Sequence, residues 1–443
     1  MENEKLLKYV AVTPTKVQKD IMDMEFYLFM HFGINTFAGK EWSDGTVPPE
    51  MFNPTDLDCN NWCEVAKSLG AKGIILTAKH HDGFCLWQTN TTEYSVKNSP
   101  YKNGKGDVVK ELSEACKKHG IKMGVYLSPW DRNSKYYGTS EYNDFYLSQL
   151  KELLTNYGEI FTVWLDGACG AALDGKERQK YDFERYYELI REIQPNCSIS
   201  NCGPDVRWVG NEAGKSRKSE WNVVPKSLFN ESVIMDSSQM TDKVPFKKID
   251  TTNEDLGSRE LLEKYDEYIW YPAEVDVSVR KGWFYHKGQD ITLKSVRKLM
   301  KIYYASVGNN CTLLLNIPPD RTGKVCEKDV KRMKEFGDRI RKEFSNNIAL
   351  TEKEKTESTF TYTFDKQQVT KAVIMEDLDY SQRIEDFTIT TNVNGNEVVL
   401  FKGTTVGIKK IALLKNVVTD NVTLKINACR LNPMIKKFEI YGK

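Results

Sequence analysis

YGEIFTVWLDGA (157–168) is the stretch on which the reading of this chain turns. Between Gly158 and Gly167 runs a short apolar segment, Ile160 to Leu165, rich in β-branched and aromatic residues. It is too short for a typical helix and is bounded by turn residues, the pattern of a strand buried on both faces. Asp166 follows it directly. A carboxylate at the end of a buried strand is costly unless it is solvated or paired at a site. The competing reading is an Asp that only caps the loop or helix beyond it.

The same unit repeats on both sides. NDFYLSQLKELLTNYG (143–158) has helical spacing and ends in glycine, and FERYYELIREIQP (183–195) is a helix stopped by Pro195 before the strand candidate NCSISNCG (196–203). Upstream, EFYLFMHFG (25–33), KGIILTAKHH (72–81) and IKMGVYLSPW (121–130) read as strands. NWCEVAKSLGA (61–71) and DVVKELSEACKKHG (107–120) read as amphipathic helices, the second closed by Gly120. Strand–helix alternation argues for a parallel barrel or a doubly wound sheet. Polar and aromatic clusters recur where strands end, at His31, His80–His81, Trp130 and Asp166, as at the mouth of a (β/α) barrel. No glycine-rich phosphate turn supports the doubly wound alternative. From about Thr351 the texture changes to separate period-two stretches such as STFTYTF, KAVIMED, FTITTNVNG and NVTLKIN. The expected fold is therefore α/β, a TIM-like (β/α)8 barrel over 1–345 followed by an all-β sandwich over 346–443.

Composition narrows the function. With 63 basic and 62 acidic residues the net charge is +1, so no electrostatic footprint for nucleic acid or an anionic membrane is expected. No apolar run reaches the roughly 18 residues of a membrane-spanning helix. The opening, MENEKLLKYVAVTPTK, lacks the apolar core of a signal peptide. Its early entry into a strand suits the mature form of a periplasmic or secreted protein, with a cytoplasmic location as the alternative. The ten cysteines are dispersed and expected to be free, mostly buried thiols.

Five segments concentrate chemistry: VWLDG (163–167), KHHDGF (79–84), HFGINTFAGKEW (31–42), RWVGNEAG (207–214) and WYPAEVDVSVRKGWFYH (270–286). Adjacent histidines reach one pocket only if a loop begins there, because neighbouring side chains of a strand face opposite ways. Both readings, sugar ligands and satisfied core histidines, stay open. Metal binding would need further ligands. Abundant Tyr and Trp suit carbohydrate, whose C–H faces stack on rings. Two carboxylates, hydrogen-bond donors and aromatic platforms at one barrel mouth suit glycoside hydrolysis, with one carboxylate attacking and a protonated one assisting the leaving group.

HFGINTF, EW, KHHDGF, GVYLSPWDR, YGEIFTVWLDGA, GNEAG, SEWN, PAEVDVSVR-GWFYH and NCTLLLNIPPDRTG together resemble glycoside hydrolase family 29, the α-L-fucosidases, in the family's order from about residue 24 to 325. SPWDR, GNEAG and the PAEVDVS–GWFYH block look most like the subgroup acting on α-1,3/1,4-linked fucose; the more permissive subgroup is the alternative. The resemblance implies a retaining mechanism without metal or organic cofactor, acting on a fucosylated oligosaccharide or glycoprotein glycan. It implies Asp166 as nucleophile and Glu212 as acid/base, with Glu220 as the alternative acid. His31, Glu41, Trp42, His80, His81, Tyr126, Trp130 and Trp164 are implied to surround the fucose. Glu274 and Trp283 are expected on the leaving-group side or behind it, and Arg207 and Arg280 to contact substrate or orient carboxylates. Lys281 stands where the family pattern suggests proline, which would loosen that loop. Transfer to a sugar acceptor, or glycan binding without catalysis, are the rival activities; the carboxylates in VWLDG and GNEAG argue against the second.

Overall fold

The computed structural model describes residues 2–170, 178–229, 255–348 and 351–442. Eight parallel strands close a barrel: β1 (Phe26–Met30), β2 (Gly73–Lys79), β3 (Lys122–Leu127), β4 (Ile160–Leu165), β5 (Ser198–Asn201), β6 (Val206–Trp208), β7 (Ala273–Ser278) and β8 (Cys311–Asn316). Closure is made by β1 against β8, Phe26 beside Leu313 and Phe29 beside Asn316. β1, β2, β4, β7 and β8 are buried along their whole length, as strands wrapped by helices must be. Inside the barrel Tyr27, Phe29, Ile75, Tyr126, Trp164 and Leu314 belong to one apolar cluster, a packed core rather than a pore.

The helices follow the sequence closely. Cys59–Leu69 starts on Asp58 and ends at left-handed Gly70, and Val108–His119 starts on Asp107 and ends at left-handed Gly120. One departure from strict alternation stands out. β5 and β6 are joined by residues 202–205 alone, and no helix intervenes. Asp205 secures that tight connection, accepting from Ile199 N at 2.7 Å and pairing with Arg191 at 2.5 Å.

Helix Glu327–Glu343 leads into a six-stranded antiparallel sheet: β9 (Thr351–Lys355), β10 (Thr359–Glu376), β11 (Ile384–Val393), β12 (Asn396–Gly403), β13 (Lys410–Cys429) and β14 (Ile435–Gly442). The stretches STFTYTF and KAVIMED, expected as separate strands, are two ends of β10, whose pairing with β13 shifts register between Thr363 and Gln367 and between Val369 and Lys371. Such bulges bend a long strand and let one sheet curl around its own core of Val369, Ile389, Leu400 and Leu424. None of the ten cysteines is joined in a disulfide, and Cys326 and Cys429 are the two that are not fully buried. Among the described residues no helix is long and apolar enough to cross a membrane.

Candidate active site

The C-terminal ends of the barrel strands surround a cavity of about 420 Å³. Its wall includes His31 just beyond β1, His80 and His81 beyond β2, Tyr126 of β3, Trp164 of β4 with Asp166 after it, Asn201 ending β5, Trp208 ending β6, and Asp276 of β7. Glu41, Trp42, Trp130, Glu212 and Trp283 come from the loops above.

Asp166 accepts a hydrogen bond at each oxygen, from Tyr126 Oη at 2.9 Å and from Ala168 N at 2.8 Å. His81 Nε2 stands 3.9 Å from the same carboxylate. These contacts fix the carboxyl in the wall of the cavity. Both histidines reach the cavity because β2 ends at Lys79 and the chain turns at Gly83, whose φ is +88°. Lys79 itself points outward, to Asp131 at 3.0 Å and Gln149 at 2.9 Å. His31 Nδ1 is 2.9 Å from Asn316 Oδ1, and His81 Nδ1 is 2.8 Å from Ser128 Oγ. Burial lowers His31 to about 3 and His81 to about 4, and lowers His80 too, with the neighbouring histidines adding to the effect. All three are neutral imidazoles near pH 7, able to donate from one nitrogen and accept at the other. His80 Nδ1 and Trp130 Nε1 are buried without a protein partner.

Glu212 sits on a loop and is exposed as a residue, and its side chain lines the cavity together with Trp283. Crowding of the Glu212 carboxyl, then the charge of Asp166, pushes it up to about 7. Glu41 holds the loop carrying Trp283: its carboxylate accepts from Trp283 N at 2.7 Å and Phe284 N at 3.3 Å and meets His286 Nε2 at 2.5 Å. Gly282 is required there, because a Cβ would lie 2.3 Å from Glu41 Oε1 on a backbone of φ +78°.

The family profile described as "Alpha-L-fucosidase" matches residues 30–343. The chain is 40% identical to α-L-fucosidase 1 of Arabidopsis thaliana, covering 94% of this chain and 84% of that protein. A proposed α-L-fucosidase of Bacteroides ovatus superposes with a TM-score of 0.92 at 43% identity, over 100% of this chain and 76% of the other. A family 29 fucosidase of Ruminococcus gnavus, solved in complex with fucose, superposes with a TM-score of 0.82 at 28% identity, over 98% and 95% of the two chains. The chain belongs to glycoside hydrolase family 29, the α-L-fucosidases.

The fold brings together nearly all the residues that the family resemblance singles out. Four lie elsewhere. Glu274 does not reach the cavity: it is buried beneath it, accepting from Trp164 Nε1 at 2.7 Å and from Tyr27 Oη, and burial raises it to about 7. Glu220, the alternative acid, is fully buried away from the cavity, gripped by Arg207 and receiving Arg217 N at 3.0 Å. Arg207 is therefore committed to that carboxylate. Arg280 is held by Asp329 at 2.7 Å and Asp290 at 2.9 Å, outside the cavity. Both arginines orient carboxylates, but none that line the cavity.

Sequence reasoning passed over Asp276 and Trp208. Asp276 is almost fully buried on the cavity wall and accepts from Trp208 Nε1 at 2.8 Å. Burial, and then the charge of Glu212, raises it well above the carboxylate range. The signal was present: Glu274 and Asp276 are two apart on one strand, so both face inward, and the one nearer the strand's C-terminal end lies at the mouth.

Proposed function

We propose that this chain is an exo-acting, retaining α-L-fucosidase that removes terminal α-1,3/1,4-linked L-fucose from oligosaccharides or glycoconjugates. In this reading Asp166 attacks C1, the bond to the leaving oxygen breaks, and Glu212 gives that oxygen its proton. Water then attacks the fucosyl ester while Glu212 takes a proton back, releasing α-L-fucose and restoring Asp166. The observation that carries the reading is electrostatic. Asp166 is an acceptor at both oxygens, while a second carboxyl in the same cavity is raised to about 7 partly by its charge. A carboxylate held by two donors beside a carboxyl that keeps its proton divides the pair into nucleophile and acid.

The neutral histidines then serve the sugar hydroxyls, with His80 Nδ1 and Trp130 Nε1 free to bond them. Trp42, Trp164 and Trp283 supply ring faces around the same space. Residues 1–345 act as the catalytic unit and 346–443 as its brace, and the α-1,3/1,4 preference rests on the SPWDR, GNEAG and PAEVDVS–GWFYH motifs. The test is fucose release from a Lewis-type trisaccharide and from an aryl α-L-fucoside, with nuclear magnetic resonance following the first-formed anomer. Release of the α-anomer, with the trisaccharide preferred, supports the proposal. The β-anomer first would overturn retention, and preference for the aryl fucoside would move the chain to the permissive subgroup.

A further inference from the structure

The loop that carries Glu212 is fastened from outside the barrel. Its stem closes where Arg217 Nη1 donates to Val209 O at 3.1 Å, with Glu212 between the two. Glu220 then ties both arms. Its carboxylate pairs with Arg207 on β6 and accepts from Arg217 N on the returning arm. Glu220 is itself held by its main chain, and two of its three holders belong to the C-terminal domain. Gln382 Nε2 donates to Glu220 O at 3.0 Å while Gln382 Oε1 accepts from Asn222 N at 2.9 Å. Glu220 N donates to Thr405 Oγ1 at 3.1 Å, and Asn310 Nδ2 of the barrel donates to Glu220 O at 2.9 Å. Beside them the Arg430 guanidinium lies 3.6 Å from the Trp221 ring. Gln382 and Thr405 are almost wholly buried, so water does not compete for these bonds.

We infer that Gln382 and Thr405 of the C-terminal domain are positioning residues for the acid/base loop, acting through Glu220 to hold Glu212 at the leaving-group oxygen. The inference rests on Glu212 being the acid. Two hydrogen bonds at one amide, one donated to Glu220 O and one accepted from Asn222 N, fix the phase of the chain leaving the loop. Loss of that phase displaces the tip and leaves Asp166, carried separately by β4, where it was. Misplacement of a catalytic group by an ångström from a distant change is enough to cost up to about 10²-fold.

The experiment compares two substrates in the full chain. Departure of 2-chloro-4-nitrophenolate needs little proton assistance, and departure of a sugar hydroxyl needs it fully. For Gln382→Ala, kcat/KM should fall about tenfold on a Lewis-type trisaccharide and less than about twofold on the aryl fucoside. Thr405→Val, which removes one acceptor and keeps the shape, should show the same split to a smaller degree, and it decides the matter if Gln382→Ala does not fold. Equal losses on both substrates, or none on either, overturn the inference, because a merely structural role cannot tell the leaving groups apart. Glu212→Gln is run alongside. If it shows the split and the Gln382 and Thr405 variants do not, this inference alone falls. If Glu212→Gln shows no split, the assignment of the acid falls, and this inference with it.

Discussion

The two walls of the cavity are built differently. One is carried by β1 to β4, strands of five to seven residues in which His31, His80, His81, Tyr126 and Asp166 sit within two residues of the strand's end. They brace one another within the barrel: Tyr126 on Asp166, Asn316 on His31, Ser128 on His81. The other wall carries Trp208, Glu212, Asp276 and Trp283. Its strand β6 has only three residues and pairs with β5 through just Ser200–Val206 and Asn201–Arg207. Its loops are held from behind, by Glu41 on one side and by Glu220 and the C-terminal domain on the other. A rigid wall can fix the sugar that every substrate shares, and a separately held wall can place a proton donor and vary with the leaving group.

The largest effect should come from the rigid wall. Asp166→Ala is expected to lose about 10⁴-fold or more in kcat on both substrates, because no covalent route remains. Azide added to that variant should restore turnover. Loss of activity on only one substrate would break the contrast between the walls. Glu212→Gln should lose about 10²–10³-fold on the trisaccharide and far less on the aryl fucoside. The pH profile gives the sign. As the proposed proton donor, Glu212 must enter the first step protonated and is held at about 7, so trisaccharide turnover should decline as pH rises through that value. The variant should lack that decline, and an unchanged profile would remove Glu212 from the acid role.

A smaller effect is expected at the histidines. His80→Ala deletes a buried imidazole whose Nδ1 has no protein partner. It should cost about 10–100-fold in kcat/KM, equally on both substrates, since the fucose is common to them. A split between substrates here would mean that the two walls do not divide the work.

The same contrast explains what could be read from sequence. The first wall was legible because each of its residues follows a contiguous apolar strand, and both the strand and its end are local patterns. The second was legible only in part: Glu212 and Trp283 stood in recognisable motifs, and alternation gave the inward face of β7 but not how far each residue reaches. Glu274 and Asp276 differ only in depth, and depth follows from where β7 stops against β8, with Ser278 level with Asn316. Glu220 looked like a usable acid until Arg207 and Arg217 came to it through space. Within the C-terminal sheet, bulges interrupt period two, so β10 reads as two strands.

Asp276 gives the finest test, because it sets stability against chemistry on the second wall. Its ordinary value is 3.8, and in the folded chain burial raises it well above that. Above pH 3.8 the native protein therefore keeps a proton that the unfolded chain has released. Stability is full below that pH and declines as pH climbs through the window up to the raised native value. Asp276→Asn keeps an oxygen for Trp208 Nε1 to bond and removes the ionisable group. The variant should equal the wild type near pH 4 and exceed it increasingly toward pH 8, read as a higher Tm. Loss of stability at every pH would show that the carboxyl makes bonds an amide cannot replace. A gain that grows with pH, joined to weaker trisaccharide turnover, would mark Asp276 as a group whose buried proton is kept for the reaction at a cost to the fold.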